Sequence, residues 1–324
     1  MNNVESADIT SPVDPANLNL AIQSLRNGIA EVIRGKNQVI TDFLTAVIAG
    51  GSVLLEDLPG VGKTTLCKTF AQLVNLRFDR LQCTPDLLPA DVIGFSIYNA
   101  QEGSFTFRPG PIFCNLLLVD EINRASPRTQ SALLEAMAEH QVTIEGSSRS
   151  LASPFLVVAT QNPVGFQGTY PLPEAQLDRF LFLMSVEYPD HASELELLYR
   201  TASNQSSVKP PIVDAPVLLQ IQQQVQGVEV HRDVADYMVR IVTATRNDDR
   251  LQIGCSPRGS QMLFRASQAA AFISGRKYVL PDDVQHVAPL ALAHRIVAKR
   301  STHDRHTTKR SIVHDILEKI QVPA

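Results

Sequence analysis

Tryptophan is absent from this 324-residue chain, and all aromatics together make up only 6% of it. Single-strand-binding surfaces are built from stacked rings, so such platforms are expected to be scarce here. There is no cationic excess either. The 29 Lys and Arg stand against 33 Asp and Glu, for a net charge of −4 and a pI near 6.1. That balance gives no general attraction to nucleic acid or to an anionic membrane. Cysteine is scarce: Cys67, Cys83, Cys114 and Cys255 include no Cys-x-x-Cys pair, so neither a zinc site nor a disulfide framework is expected. They read as buried free thiols of a reducing cytoplasm, the expected location. The longest nearly uncharged run, 43–55, is too short to span a bilayer and is interrupted by Gly50 and Gly51. The first residues show neither a basic n-region nor an apolar core, so no secretory signal is expected.

What is present is an ordinary globular composition, 44% hydrophobic and 19% charged, of a length that suggests two domains. The chain is organised around Ser52 to Leu66. An apolar run, Val53-Leu54-Leu55, leads into Pro59-Gly60-Val61-Gly62, and Lys63-Thr64-Thr65 then opens a helical pattern. Strand, glycine turn, Lys-Thr and helix is the order of a phosphate-binding loop. Glycines let backbone N–H groups turn inward around an anion, and the helix dipole points at the same place. Lys63 is expected to reach the β- and γ-phosphates, and the Thr64 hydroxyl to ligate Mg²⁺. The full pattern has a further glycine where this chain has Asp57.

Taken in order, Met1 to Asn17 is polar with two prolines and reads as a loose leader. Helical spacing follows from Leu18, and Gly35 suits either a helix C-cap or a segment closing over a nucleotide base. Phe78 to Thr84 is a strand candidate, and 95–107 reads as a β-hairpin. Leu116 to Val119 suits a strand buried on both faces, with Asp120 and Glu121 emerging at its carboxyl end, where open α/β sheets bind ligands. Asp120 is the candidate for Mg²⁺ and Glu121 for polarising an attacking water. A second hairpin is expected around Glu145 to Ser148, between strands at His140 to Ile144 and Ser150 to Phe155. Another buried strand, Phe155 to Thr160, delivers Asn162, which suits either a water-orienting amide or a turn before Pro163. Arg179, just before a last strand at Phe180 to Val186, is either a surface ion-pair partner or a transition-state cation. Beyond Pro189 only helical periodicity is visible, including a helix from Pro281 to Ala298. Ser256-Pro257 marks a helix start that projects Arg258 from its first turn, where an anion is needed to offset the dipole: a phosphate or an ordinary carboxylate.

The order of these blocks resembles the AAA+ ATPases, and within them the MoxR family. It rests on Asp57 to Thr64, Phe107-Arg-Pro-Gly-Pro-Ile-Phe113, Asp120-Glu-Ile-Asn-Arg124, Thr129 to Met137, Ala159-Thr-Gln-Asn-Pro163 and Gly168 to Phe180, and spans about Leu18 to Pro323. The resemblance implies a doubly wound parallel α/β core over 18–189, with two hairpin insertions, and an all-helical lid over 190–324. It implies Walker A at Lys63 and Thr64, Walker B at Asp120 and Glu121, sensor 1 at Asn162, an arginine finger for the neighbouring subunit at Arg179, and sensor 2 at Arg258. It further implies ATP and Mg²⁺, self-association into a ring, usually a hexamer, and chaperone-like work with a partner that often carries a von Willebrand A domain. A magnesium-chelatase ATPase subunit shares the architecture, and DNA helicases share the hairpins. The acidic balance argues against the latter.

Overall fold

In the computed structural model, which describes residues 15–57, 60–162, 169–202, 210–299 and 308–323, the chain opens with α1 (Pro15–Ala30) and α2 (Asn37–Ile48). Leu18, Ile22, Leu25 and Ile29 recur at helical spacing on α1 and are all buried. Then come β1 (Val53–Glu56), α3 (Lys63–Leu73), β2 (Phe78–Gln82), the one-turn α4 (Pro89–Ile93) and a hairpin of β3 (Gly94–Asn99) and β4 (Ser104–Pro109). β5 (Leu116–Asp120), α5 (Pro127–Glu139), a second hairpin of β6 (Gln141–Ile144) and β7 (Ser147–Ser150), β8 (Leu156–Gln161), α6 (Glu174–Leu177) and β9 (Phe182–Met184) complete this half.

Five strands form one sheet in the order β2-β5-β8-β1-β9, and every neighbouring pair is parallel. The uninterrupted apolar runs account for this, because a parallel strand covered on both faces has no side left for water. Leu116, Leu118, Leu156, Val158, Val53 and Leu55 point to one side, into a core shared with α1, α2 and α3. Leu117, Val119, Val157, Ala159 and Leu54 point to the other, against α5 and the second hairpin. Side chains alternate along a strand, so each run feeds both layers.

The stretch expected to form the lid contains α7 (His191–Ala202), α8 (Ala215–Gln226), α9 (Arg232–Asn247), α10 (Pro257–Ile273), α11 (Pro281–Leu292) and α12 (Lys309–Lys319). Val234, Met238, Ile241 and Thr245 share the buried face expected of them. The lid is not wholly helical. β10 (Leu251–Ile253) and β11 (Val297–Ala298) pair antiparallel. Elements of three and two residues are shorter than any periodic signal, which is why the sequence reads only as helix there. The helix expected to reach Ala298 ends at Leu292. His294 and Arg295 follow in a 3-10 turn and are buried against the backbone of residues 178–181.

That turn is the main seam between lid and sheet. Arg295 donates from Nε to Asp178 Oδ1 (2.8 Å) and through its other nitrogens to the carbonyls of Asp178, Phe180 and Leu181. At another point Asp42 on α2 meets His286 on α11 at 2.7 Å. Apolar contacts join the same parts: one core cluster runs continuously from α1, α2 and the sheet into α8 to α12. The lid therefore packs as a continuation of one face of the core.

Other boundaries differ from expectation as well. α1 begins at Pro15, inside the stretch read as leader, while residues 1–14 lie outside the described residues. The last strand is only Phe182–Met184. The second hairpin turns on two residues, Glu145 (φ +50°) and Gly146 (φ +77°), so its return strand starts at Ser147. Positive φ at both positions matches the right-handed twist of the flanking strands.

Candidate active site

Register brings the chemistry together. β1 pairs with β8 so that Glu56 faces Gln161, and β2 pairs with β5 so that Gln82 faces Asp120. Four strands thus end at one level, and a cavity of about 310 Å³ opens beyond them. Its lining includes Gly60, Gly62, Lys63, Thr64, Thr65, Asp120, Glu121 and Asn162. These come from three segments far apart in the chain. Of the other residues predicted for this site, Val61 packs partly buried against the core, and Pro59 lies outside the described residues.

The loop explains its own glycines. Gly60 has φ +87° and Gly62, the N-cap of α3, has φ +97°. A Cβ at Gly60 would meet nothing within 4 Å, so the requirement is conformational and not one of space. At Gly35 the reason is close approach as well as φ +70°: a Cβ there would sit 2.4 Å from Ser193 Oγ. Of its two sequence readings, the turn after α1 that packs on the lid is the one with a visible cause.

Lys63 Nζ donates to the Asp57 carbonyl at 3.1 Å. Partial burial draws this ammonium below its ordinary range, with Asp57, Asp120 and Glu121 pulling the other way. The Asp57 carboxylate faces away from the loop. It accepts from Ser185 Oγ (2.5 Å), Val186 N (2.7 Å) and Glu187 N (3.0 Å), tying the end of β1 to the chain beyond β9. A glycine could not make this tie. Asp57→Ala strands three donors around a buried position, at ~1–3 kcal/mol for the worst placed of them. We expect a loss of about 2–4 kcal/mol in urea unfolding, with nucleotide affinity little changed because the carbonyl that holds Lys63 remains. An unchanged urea midpoint would show that the tie is dispensable.

Asp120 is buried. Its Oδ1 lies 3.3 Å from Thr160 Oγ1, and its Oδ2 accepts from Arg80 Nε at 2.6 Å. The Thr160 hydroxyl also accepts from Glu121 N at 2.9 Å, so one side chain orders both carboxylate-bearing residues. Glu121 is held at φ +55°, ψ +51°, the left-handed region that a residue with a long side chain seldom enters, and Arg124 pairs with its carboxylate at 2.8 Å. Hard oxygen donors at Thr64 and Asp120 beside a Lys-bearing anion cradle suit Mg²⁺ carried in on a polyphosphate, since that ion commonly takes one or two protein oxygens and keeps several waters.

Two predicted residues lie elsewhere. Arg179, just before edge strand β9, donates from Nη1 to the Leu134 carbonyl of α5 at 2.5 Å and does not line the cavity. Arg258, half-buried in the first turn of α10, does not line it either, and among the described residues no carboxylate pairs with it. Ser256, expected to cap that helix, instead donates its hydroxyl to Asp178 Oδ2 at 3.2 Å. Conversely, Thr160, Arg80, Gln82 and Arg124 were missed. Thr160 and Arg124 lie within the motifs 159–163 and 120–124, Arg124 one helical turn from Glu121. Arg80 and Gln82 carry only the signal of two polar residues at strand spacing. The four thiols are free and buried as read, and burial pushes those of Cys83 and Cys114 up to about 12. No helix among the described residues is long and apolar enough to cross a membrane.

Comparison with known proteins agrees with this fold. Residues 52–182 match the model of the ATPase family associated with various cellular activities (AAA), and residues 243–316 that of the AAA lid domain. Chaperone MoxR1 of Mycobacterium tuberculosis is 40% identical over 93% of this chain and 83% of its own length. Protein YeaC of Bacillus subtilis is 46% identical over 91% of this chain and 92% of its own. A crystal structure from Cytophaga hutchinsonii superposes with a TM-score of 0.89 at 37% identity, covering 96% of this chain and 97% of that one. With a phosphate-loop sheet, a lid and full-length relatives all in agreement, the chain belongs to the MoxR family of AAA+ ATPases.

Proposed function

We propose that this chain hydrolyses Mg-ATP at the carboxyl edge of its sheet and uses the cycle to remodel or mature a protein partner. The observation that carries the reading is the convergence of Lys63, Thr64, Asp120, Glu121 and Asn162 on one cavity. The loop N–H groups from Gly60 to Thr65 cradle the phosphates, and Lys63 offsets their charge. Thr64 and Asp120 would hold Mg²⁺, which when bound would neutralise phosphate charge. Glu121 takes a proton from a water that Asn162 orients, and that water attacks the γ-phosphorus as ADP leaves. No covalent enzyme intermediate is formed.

Arg179 completes the site of a neighbouring subunit in a ring, a hexamer by family resemblance. Its place at the sheet edge, outside its own cavity, supports this. Arg258 reaches the nucleotide from the lid as lid and core rotate about their hinge. A protein client, in company with a von Willebrand A partner, is favoured over nucleic acid. The first hairpin exposes Phe95, Ile97, Tyr98 and Phe105, and Arg149 on the second lies over the Phe107 ring at 4.0 Å. The exposed surface of the first hairpin is largely apolar, and Arg149 beside it is already engaged by a ring.

The test is direct. The purified chain should release phosphate from ATP in Mg²⁺ buffer and stop when the metal is chelated. Lys63→Ala should weaken ATP binding about 10- to 100-fold, the size of one lost charge-assisted hydrogen bond to phosphate. A parent chain that binds no ATP in calorimetry would end the reading.

A further inference from the structure

Arg80 stands where a metal-holding carboxylate would be expected to face its metal. It lies on β2, with Leu118 of β5 as its partner in register, and its side chain runs along the strand toward the carboxyl edge. There Nε donates to Asp120 Oδ2 at 2.6 Å, and Nη2 donates to Gln82 Oε1 at 3.3 Å. Both Arg80 and Gln82 line the same cavity as Lys63 and Thr64. Asp120 has its other oxygen beside Thr160 Oγ1, so Arg80 and Thr160 between them engage both oxygens of this cavity-lining carboxylate.

We propose that Arg80 is a built-in counter-ion of Asp120 that competes with Mg²⁺ for that carboxylate. The inference rests on the reading of Asp120 as the metal-holding residue. A buried carboxylate left alone at a sheet edge is costly, and a guanidinium fixed 2.6 Å away satisfies it. A divalent ion bound to the same carboxylate would lie within a few ångströms of that guanidinium, and like charges at such range oppose each other. Metal loading therefore requires Arg80 to withdraw. Half of its side chain is exposed, so it has room to do so without disturbing the core. Arg80 thereby sets the free Mg²⁺ concentration at which the site fills. Lys63, another cation near Asp120, donates to the Asp57 carbonyl, whereas Arg80 bonds the carboxylate itself.

The experiment titrates Mg²⁺ into chelated protein with a fluorescent ADP analogue and reads the metal concentration at half-maximal change in nucleotide affinity. Arg80→Gln should lower that midpoint about fivefold, the size expected of a half-exposed ion pair. Arg80→Lys, which keeps the charge but loses the fixed Nε donor, should lower it less. Asp120→Asn should raise it, and adding Arg80→Gln to Asp120→Asn should change nothing further, because the two residues act through one contact. If Arg80→Gln leaves the midpoint unchanged or raises it while Asp120→Asn still raises it, the counter-ion role is overturned and the metal site stands. If Asp120→Asn keeps the parent midpoint, both are overturned.

Discussion

Glu121→Gln should bind ATP as tightly as the parent chain and turn it over at least ~10²-fold more slowly, the lower end of what a positioned general base contributes. The substitution is nearly isosteric. The Gln amide oxygen can still accept from Arg124, whose Nη1 donates to Glu121 Oε2 at 2.8 Å, and the backbone stays anchored by Glu121 N on Thr160. Only the ability to take a proton is lost. Phosphate release and a binding titration on the same preparation separate the two effects. Parent-rate turnover would mean that some other group activates the water. The ion pair with Arg124 engages Oε2 of the Glu121 carboxylate, so the substitution is expected to act through the proton and not through a lost contact.

Arg179→Ala should be as damaging to turnover, by ~10³-fold or more, yet nearly silent in ATP affinity, because an arginine that stabilises only the transition state leaves ground-state binding alone. In its own chain Arg179 rests on the Leu134 carbonyl, away from the cavity. Removing it deletes one side-chain hydrogen bond, worth about 1 kcal/mol, so thermal melts should move little and the loss cannot be blamed on unfolding. Mixing Arg179→Ala with Lys63→Ala protein should restore part of the activity, since a mixed ring contains interfaces where an intact loop meets an intact arginine. No recovery at any mixing ratio would rule out sites shared between subunits.

How much of this was legible beforehand follows the range of the interactions. The strands β1, β5 and β8 could be read because three to five consecutive apolar residues have few alternatives to burial on both faces. The glycine loop was legible for a related reason: the turn at Gly60 and Gly62 and the helix that starts at Lys63 depend on backbone angles and on neighbours in the chain, all local. The β10–β11 ribbon was not, because its two strands are about 45 residues apart and too short to show alternation. Arg295 could not be recognised as the bolt between lid and sheet, because nothing near it in the chain hints at the carbonyls of 178–181.

Asp57 separates the two kinds of information most clearly. In the sequence it is a departure from a glycine pattern, without a reason. In the fold it is a carboxylate with three donors contributed by residues 185–187, some 130 positions away. Arg80 belongs with it: a polar residue on an edge strand until register sets it beside Asp120. The order of residues along the chain determined the sheet, the anion loop and which carboxylates end the strands, because each depends on neighbours within one turn or one strand. Only the three-dimensional packing decided who pairs with those carboxylates, where both outlying arginines rest and how the lid is fastened. Hydrogen bonds and charges act over a few ångströms of space, and distance along the chain does not report distance in the fold.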